Sequence, residues 1–285
     1  MPTIDKIMEL SNNNSEIKDI FALSPKDHSN FEQWSSKEID NFLITLRKRL
    51  EYSGKMCNLY SYLVDCAEND LEELYNKEEN PLITIFKDKI SRPRWRTVYQ
   101  IRKQVYDMMG YLSLLQMDAI TTIINLFQAK SDTERIMQCK HAYTIVFEAI
   151  ENDMFKKVSK EIKQYPKEIL NEAFPDEFWK VLKKRKLLKA IKSLDTAEEI
   201  RNNIDAHQNS SFKTQLTAYK KCSWTKSIIN FTILMIIVEE VQNRMEIVDN
   251  NVSKLSKQFF DEINEASNQL NNLITKLREE INTKQ

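Results

Sequence analysis

The chain has 285 residues, of which 41% are hydrophobic, 42 are Lys or Arg and 42 are Asp or Glu. That hydrophobic share supports one large domain or two small cores and excludes a disordered chain, while a formal net charge of zero leaves any attraction to nucleic acid to local patches. Two glycines and six prolines leave little material for hairpins or phosphate-cradling loops, so the expected fold class is all-α, a helical bundle.

The N-terminus, "MPTIDKIMEL", carries acidic residues and no long apolar run, so no cleaved leader is expected. Residues 1–30 are rich in Ser, Asn and Asp with little periodicity, and read as an arm with at most one short helix. From Ser36 to about Lys77, Phe42, Leu46, Leu50, Leu59, Leu63 and Leu71 recur near helical spacing and predict one or two helices. Pro81 in "NPLI" and Pro93 in "SRPRW" then punctuate the chain, because the residue before a proline is pushed away from the α region. The best boundary lies there.

The series Val98, Ile101, Val105, Met108, Leu112, Ile120, Ile123, Ile124 and Phe127 predicts a long amphipathic helix with Gly110 as its weak point. A second starts at "SDTE", where Ser131 or Asp132 can cap, and runs through Tyr143, Phe147 and Ile150. "YPKE" at 165–168 and "FPDE" at 174–177 each place a proline before acidic residues and predict two shorter helices. "SIINFTILMIIV" at 227–238 is twelve uncharged residues, short of the roughly 20 a bilayer requires, and reads as part of a buried core helix over 227–249. The tail from Val252 sets Leu255, Phe259, Ile263, Ala266, Leu270, Leu273 and Leu277 at steps of three and four, a heptad-like stripe that either folds back in the bundle or dimerises. The organisation is thus 1–90, an N-terminal arm and helical segment; 91–249, a helical bundle; and 250–285, a C-terminal amphipathic helix.

Cys57, Cys66, Cys139 and Cys222 are scattered with no C-x-x-C pair, and read as reduced thiols of a cytoplasmic protein. His28 and His141 have no partners at metal-ligand spacing beyond Cys139, and no phosphate-loop, dinucleotide or catalytic-serine signature is present. No metal and no cofactor are expected.

One stretch stands out. "TAEEIRNNIDAHQNSSF" at 196–212 gathers an arginine, two asparagines, an aspartate and a histidine within seven positions, in a chain with only three histidines. Thr196 with Glu199 fits a capping box and "QNSS" fits a stop, predicting a helix from about 197 to 207. On an ideal helix the six-residue step from Arg201 to His207 turns through roughly 240° and rises about 9 Å. A site using both therefore needs a frayed last turn or a second copy across a dimer interface.

"RNNIDAH", Arg201 to His207, resembles the R-x(4–6)-H signature of HEPN domains, including the polar Asn202 after the arginine. The resemblance covers about residues 95–249. It implies an all-α, dimeric, metal-independent endoribonuclease, serving phage defence (abortive infection) or acting as a toxin, with RNA as substrate and an antitoxin or activator protein as a further partner; no membrane is involved. In that reading His207 moves the proton in attack by the 2′-OH, and Arg201 places a permanent charge on the developing phosphorane. Asn202 positions a phosphate or the histidine, and Asp205 orients Arg201. Two basic stretches are candidates for the RNA path: Lys183, Lys184, Arg185 and Lys186, just before the motif, and Arg94 and Arg96, interleaved with Trp95 and Tyr99 as stacking platforms. The alternatives are a catalytically silent HEPN-like module that binds RNA or protein, and a helical scaffold working through its C-terminal heptad stripe.

Overall fold

A computed structural model describes residues 24–77, 92–151, 160, 162–176, 178–180, 193–202 and 211–283, and among them there is no strand. The helices are α1 (Pro25–Glu32), α2 (Ser36–Lys77), α3 (Arg92–Gln128), α4 (Asp132–Glu151), α5 (Lys167–Ala173), α6 (Ser193–Ile200), α7 (Phe212–Tyr219) and α8 (Trp224–Thr283). The all-α expectation holds.

Local chemistry sets several helix starts. Ser35 Oγ accepts the Glu38 amide at 3.3 Å while Glu38 Oε2 accepts the Ser35 amide at 2.8 Å, a reciprocal cap that opens α2. The hydrogen bonds from the Ser35 hydroxyl and amide hold the Glu38 carboxyl below its ordinary range. Ser131 Oγ accepts the Glu134 amide at 3.2 Å at the start of α4, as the sequence predicts. Pro166 precedes α5 with Glu168 in its first turn, again the predicted pattern. Ser211 caps α7, accepting the Thr214 amide at 3.3 Å; this helix was not expected.

The described residues form two compact units that draw on separate stretches of chain: Met1–Cys57, Tyr111–Phe155 and Lys180–Val241 in one, Asn58–Gly110, Lys156–Trp179 and Gln242–Gln285 in the other. In the first, an aromatic cluster joins α1, the start of α2, the end of α3 and the start of α8. Phe127 sits among Trp34, Phe42 and Trp224 with ring centroids 5.4, 5.2 and 5.3 Å away, and Phe31 meets Trp224 edge-on at 5.4 Å. Beside it, buried Asp27 accepts from the Thr225 amide at 3.1 Å, the Thr225 hydroxyl at 2.7 Å and the Ser223 hydroxyl at 3.0 Å. A carboxylate is thus placed on a first-turn amide at the positive end of α8.

The second unit packs the start of α3 through Trp95, Val98, Tyr99, Ile101 and Val105, all buried. Asn251 Nδ2 of α8 donates to the Ala173 carbonyl at 3.3 Å, satisfying an acceptor at the end of α5.

Three expectations need correction. Thr196 is not a helix cap, because α6 takes in Ser193–Ile200, and Glu199 pairs instead with the Lys221 ammonium, a stronger partner than an amide. The 227–238 stretch is buried on one face only: Phe231, Leu234, Met235 and Val238 are inside, whereas Ile229 and Ile236 are 50% and 57% exposed. Helix α8 also runs through position 250 unbroken, for 60 residues. Among the described residues no single helix is long and apolar enough to cross a membrane.

Both glycines of the chain lie inside long helices, Gly54 in α2 and Gly110 in α3. A methyl added at Gly54 would lie 3.8 Å from Met117 Cε, and one at Gly110 3.5 Å from Tyr60 Cβ, both ordinary van der Waals contacts. Gly54→Ala and Gly110→Ala are therefore each expected to raise unfolding stability by about 0.5–1 kcal/mol through the helix propensity gained. A fall in the urea midpoint of either variant would show that the helix pair is packed too tightly there.

Candidate functional site

Helix α6 is held by apolar burial. Ala197 and Ile200, fully buried, pack with Tyr143 of α4 and Ala218 of α7, and Phe147 and Cys222 close the cluster. Small residues on α6 and α7 let the helices approach closely, so the end of α6 is fixed against α4 and α7. At that end the backbone widens from α to π geometry over Arg201 and Asn202. Such a widening interrupts the 100°-per-residue progression, and it falls on the motif arginine.

The Arg201 side chain is 34% exposed. Its Nε donates to Glu148 Oε1 at 2.9 Å and its Nη1 to Asn202 Oδ1 at 3.1 Å, and its guanidinium carbon lies 5.8 Å from the Phe147 ring centroid. Among the described residues two of the five guanidinium N–H groups are thereby used, and the other three have no partner there. Glu148 comes from the last turn of α4 and is 41% exposed, so the pair is solvent-facing. Tyr111 lies within electrostatic reach: burial first, then the Glu148 and Asp118 charges, push its phenol pKa up, which keeps it a hydrogen-bond donor.

The motif residues Arg201 and Asn202 are thus brought together, with Glu148 as a partner that sequence reasoning did not name. His207 and Asp205 lie outside the described residues, as do Lys183, Lys184, Arg185 and Lys186. Arg94 falls in the first turn of α3, and Arg96, two residues on, is half-buried.

The aromatic part of that second basic stretch must be corrected. Trp95 is 2% and Tyr99 4% exposed, so neither can stack a base; both are core. Helix periodicity decides this, since Trp95, Val98 and Tyr99 share one face. Two further cations there are engaged. Arg102 donates from Nε to Tyr106 Oη at 2.9 Å and lies over its ring, and Lys103 pairs with Glu68 at 2.5 Å.

Of the other titratable groups, His28 Nε2 is bonded to Asp132 Oδ2 at 2.8 Å, and Arg135 Nη1 reaches the other oxygen of the same carboxylate at 3.1 Å. That is a structural tie between α1 and α4. All four cysteines are free thiols, and burial pushes the Cys139 thiol up to about 12, which makes it inert as a nucleophile near neutral pH. Among the described residues no group of His, Cys, Asp and Glu is arranged to hold a metal ion. A recess between α3, α4 and α8, lined by Ala119, Ile123, Ala142, Val146, Phe231 and Leu234, is apolar and contains none of the motif residues.

Compared with known proteins, the chain matches no family model, no curated protein and no solved structure, so the meaning of the Arg201 cluster rests on its own geometry and chemistry.

Proposed function

We propose that this chain is a cytoplasmic, metal-independent endoribonuclease of the HEPN type that works as a homodimer in phage defence or as a toxin, restrained or triggered by an antitoxin or activator protein. The supporting observation is the Arg201 guanidinium: permanently charged, partly exposed, held at Nε by Glu148 and at Nη1 by Asn202, with its other three N–H groups unengaged among the described residues. Phosphorane charge is best met by such a fixed fork, and a guanidinium already positioned loses little freedom when the phosphate arrives.

In this mechanism the 2′-OH of the RNA attacks the adjacent phosphorus, the 5′-oxygen of the next nucleotide leaves, and a 2′,3′-cyclic phosphate remains. His207 carries the proton, the one side chain of the motif suited to doing so near neutral pH. Glu148 orients Arg201 as well, beside the role proposed for Asp205. It fixes Arg201 through Nε, so that the Nη side is the one offered to phosphate. Lys183, Lys184, Arg185 and Lys186 supply diffuse attraction along the strand.

The test is cleavage of a mixed RNA pool in EDTA by the purified full-length protein and its His207→Ala variant. Cleavage leaving cyclic phosphate ends, lost in the variant, is the expected result. Cleavage of equal strength by folded His207→Ala would remove the histidine from the chemistry and sink the proposed mechanism.

A second reading, a silent HEPN-like binding module, is favoured by the same ion pair, since Glu148 cancels the formal charge of Arg201 before any phosphate arrives. It is distinguished by RNA binding without cleavage that survives loss of His207.

A further inference from the structure

The sequence from 206 to 238 carries four lysines, Lys213, Lys220, Lys221 and Lys226, and no Asp or Glu. In a chain whose 42 basic and 42 acidic residues balance, that is a local excess of positive charge. The first unit gathers it at one corner, with Lys213 on α7, Lys220 and Lys221 in the turn that follows, and Lys226 in the first turn of α8. Glu199 is taken by Lys221, and buried Asp27 by Ser223 and Thr225. Lys213, Lys220 and Lys226 are exposed and have no carboxylate partner among the described residues. Other cations of the same unit are matched, Arg49 with Glu239, Lys55 with Glu51 and Arg135 with Asp132.

Two of these lysines stand where they cost stability. The first turns of α7 and α8 hold no acidic residue, and Lys213 and Lys226 put a cation at the positive end of each helix dipole. Asp27 offsets part of that cost at α8, and nothing described offsets it at α7. Stability alone would favour Asp or Glu at 213. A surface for anions keeps lysine there, because the ammonium and the helix start attract the same ligand. On ideal geometry Lys213, Thr217 and Lys220 fall within about 60° of one another and span about 10 Å. They lie on the side of α7 turned away from Ala218, which packs against α6.

We propose that this corner binds the phosphate backbone of single-stranded RNA, with Lys213, Lys220 and Lys226 as its contacts. Exposed ammonium groups meet successive phosphates without reading bases. An anionic membrane would meet the same charges, but the exposed side chains described on α7, Lys213, Thr214 and Thr217, give it no apolar face to bury. The proposal rests on the ribonuclease reading for the identity of the strand, and it adds a described stretch of RNA path, on the unit that carries Arg201, to the one proposed at 183–186.

The test is fluorescence anisotropy of a labelled 2′-O-methyl RNA, whose blocked 2′-oxygen cannot attack phosphorus, titrated with the full-length protein over a range of salt concentrations. The variant is the triple Lys213→Gln, Lys220→Gln, Lys226→Gln, and the control is the triple Lys37→Gln, Lys48→Gln, Lys55→Gln, which removes the same charge from exposed positions on α2. Three lost phosphate contacts should lower the slope of log affinity against log salt by about 2, and should weaken binding at least about tenfold near 0.1 M salt. The control should keep the wild-type slope, and far-UV circular dichroism should be the same for all three proteins. A wild type that does not bind, a corner triple with the wild-type slope, a control that loses as much, or binding to phosphatidylserine vesicles in place of RNA would each overturn the proposal. Binding that passes these tests in a protein that cleaves no RNA would count against the ribonuclease reading alone.

Discussion

Arg201→Ala is expected to lower RNA cleavage by about a hundredfold to a thousandfold while leaving the protein folded. The activity loss follows from removing a fixed positive donor from the charge that develops on phosphorus, for which that magnitude is typical. The fold is spared because the Arg201–Glu148 pair is solvent-facing, at 34% and 41% exposure, and such pairs contribute about 0–1 kcal/mol. Kinetics and urea unfolding on the same preparation separate the two effects. Glu148→Gln sharpens the result: as the orienting group, its loss should cost cleavage severalfold, because the amide still accepts from Nε but no longer holds the cation by charge. Faster cleavage by Glu148→Gln would instead mean that Glu148 competes with phosphate, and the orienting role would be wrong.

Phe127→Ala should be the most damaging single change in the first unit, costing about 3–5 kcal/mol of unfolding free energy, the range for truncating a buried phenylalanine. Its ring touches Phe31, Phe42 and Trp224 from three other helices and Trp34 from the turn between α1 and α2, so no one neighbour can move to fill the void. Loss of near-ultraviolet circular dichroism from Trp34 and Trp224 should accompany the shift in urea midpoint. Leu114→Ala on the same helix, at a site 54% exposed, serves as the comparison and should stay within about 0.5 kcal/mol. Equal costs at the two positions would mean that the aromatic cluster is not what holds α1 in place.

What the sequence made legible was chemistry acting over a few residues. The all-α class followed from scarce glycine and helical spacing, the cap at Ser131 is set by a partner within one turn, and the start of α5 by the fixed backbone of Pro166. Glu148 escaped notice because it meets Arg201 across 53 residues, and only the packing of α6 on α4 brings them together. Asp27 escaped for the same reason, lying 198 residues from the amide it accepts. The misreading of Trp95 and Tyr99 has a different origin: arginines around an aromatic suggest a nucleic-acid surface, yet the three- and four-residue steps to Val98 and Tyr99 already marked a core face. Burial of Trp95 was readable there, and the charged neighbours obscured it.

The capping of α8 by Asp27 bears on where the molecule can be trimmed. A fragment cut to begin at residue 91, where the prolines suggest a boundary, would retain the Arg201 motif but shed the carboxylate that seats the first turn of α8 and three of the rings around Phe127. The leading segment is thus a keystone for the part of the chain that carries the motif. Its removal would unfasten a helix start nearly two hundred residues away.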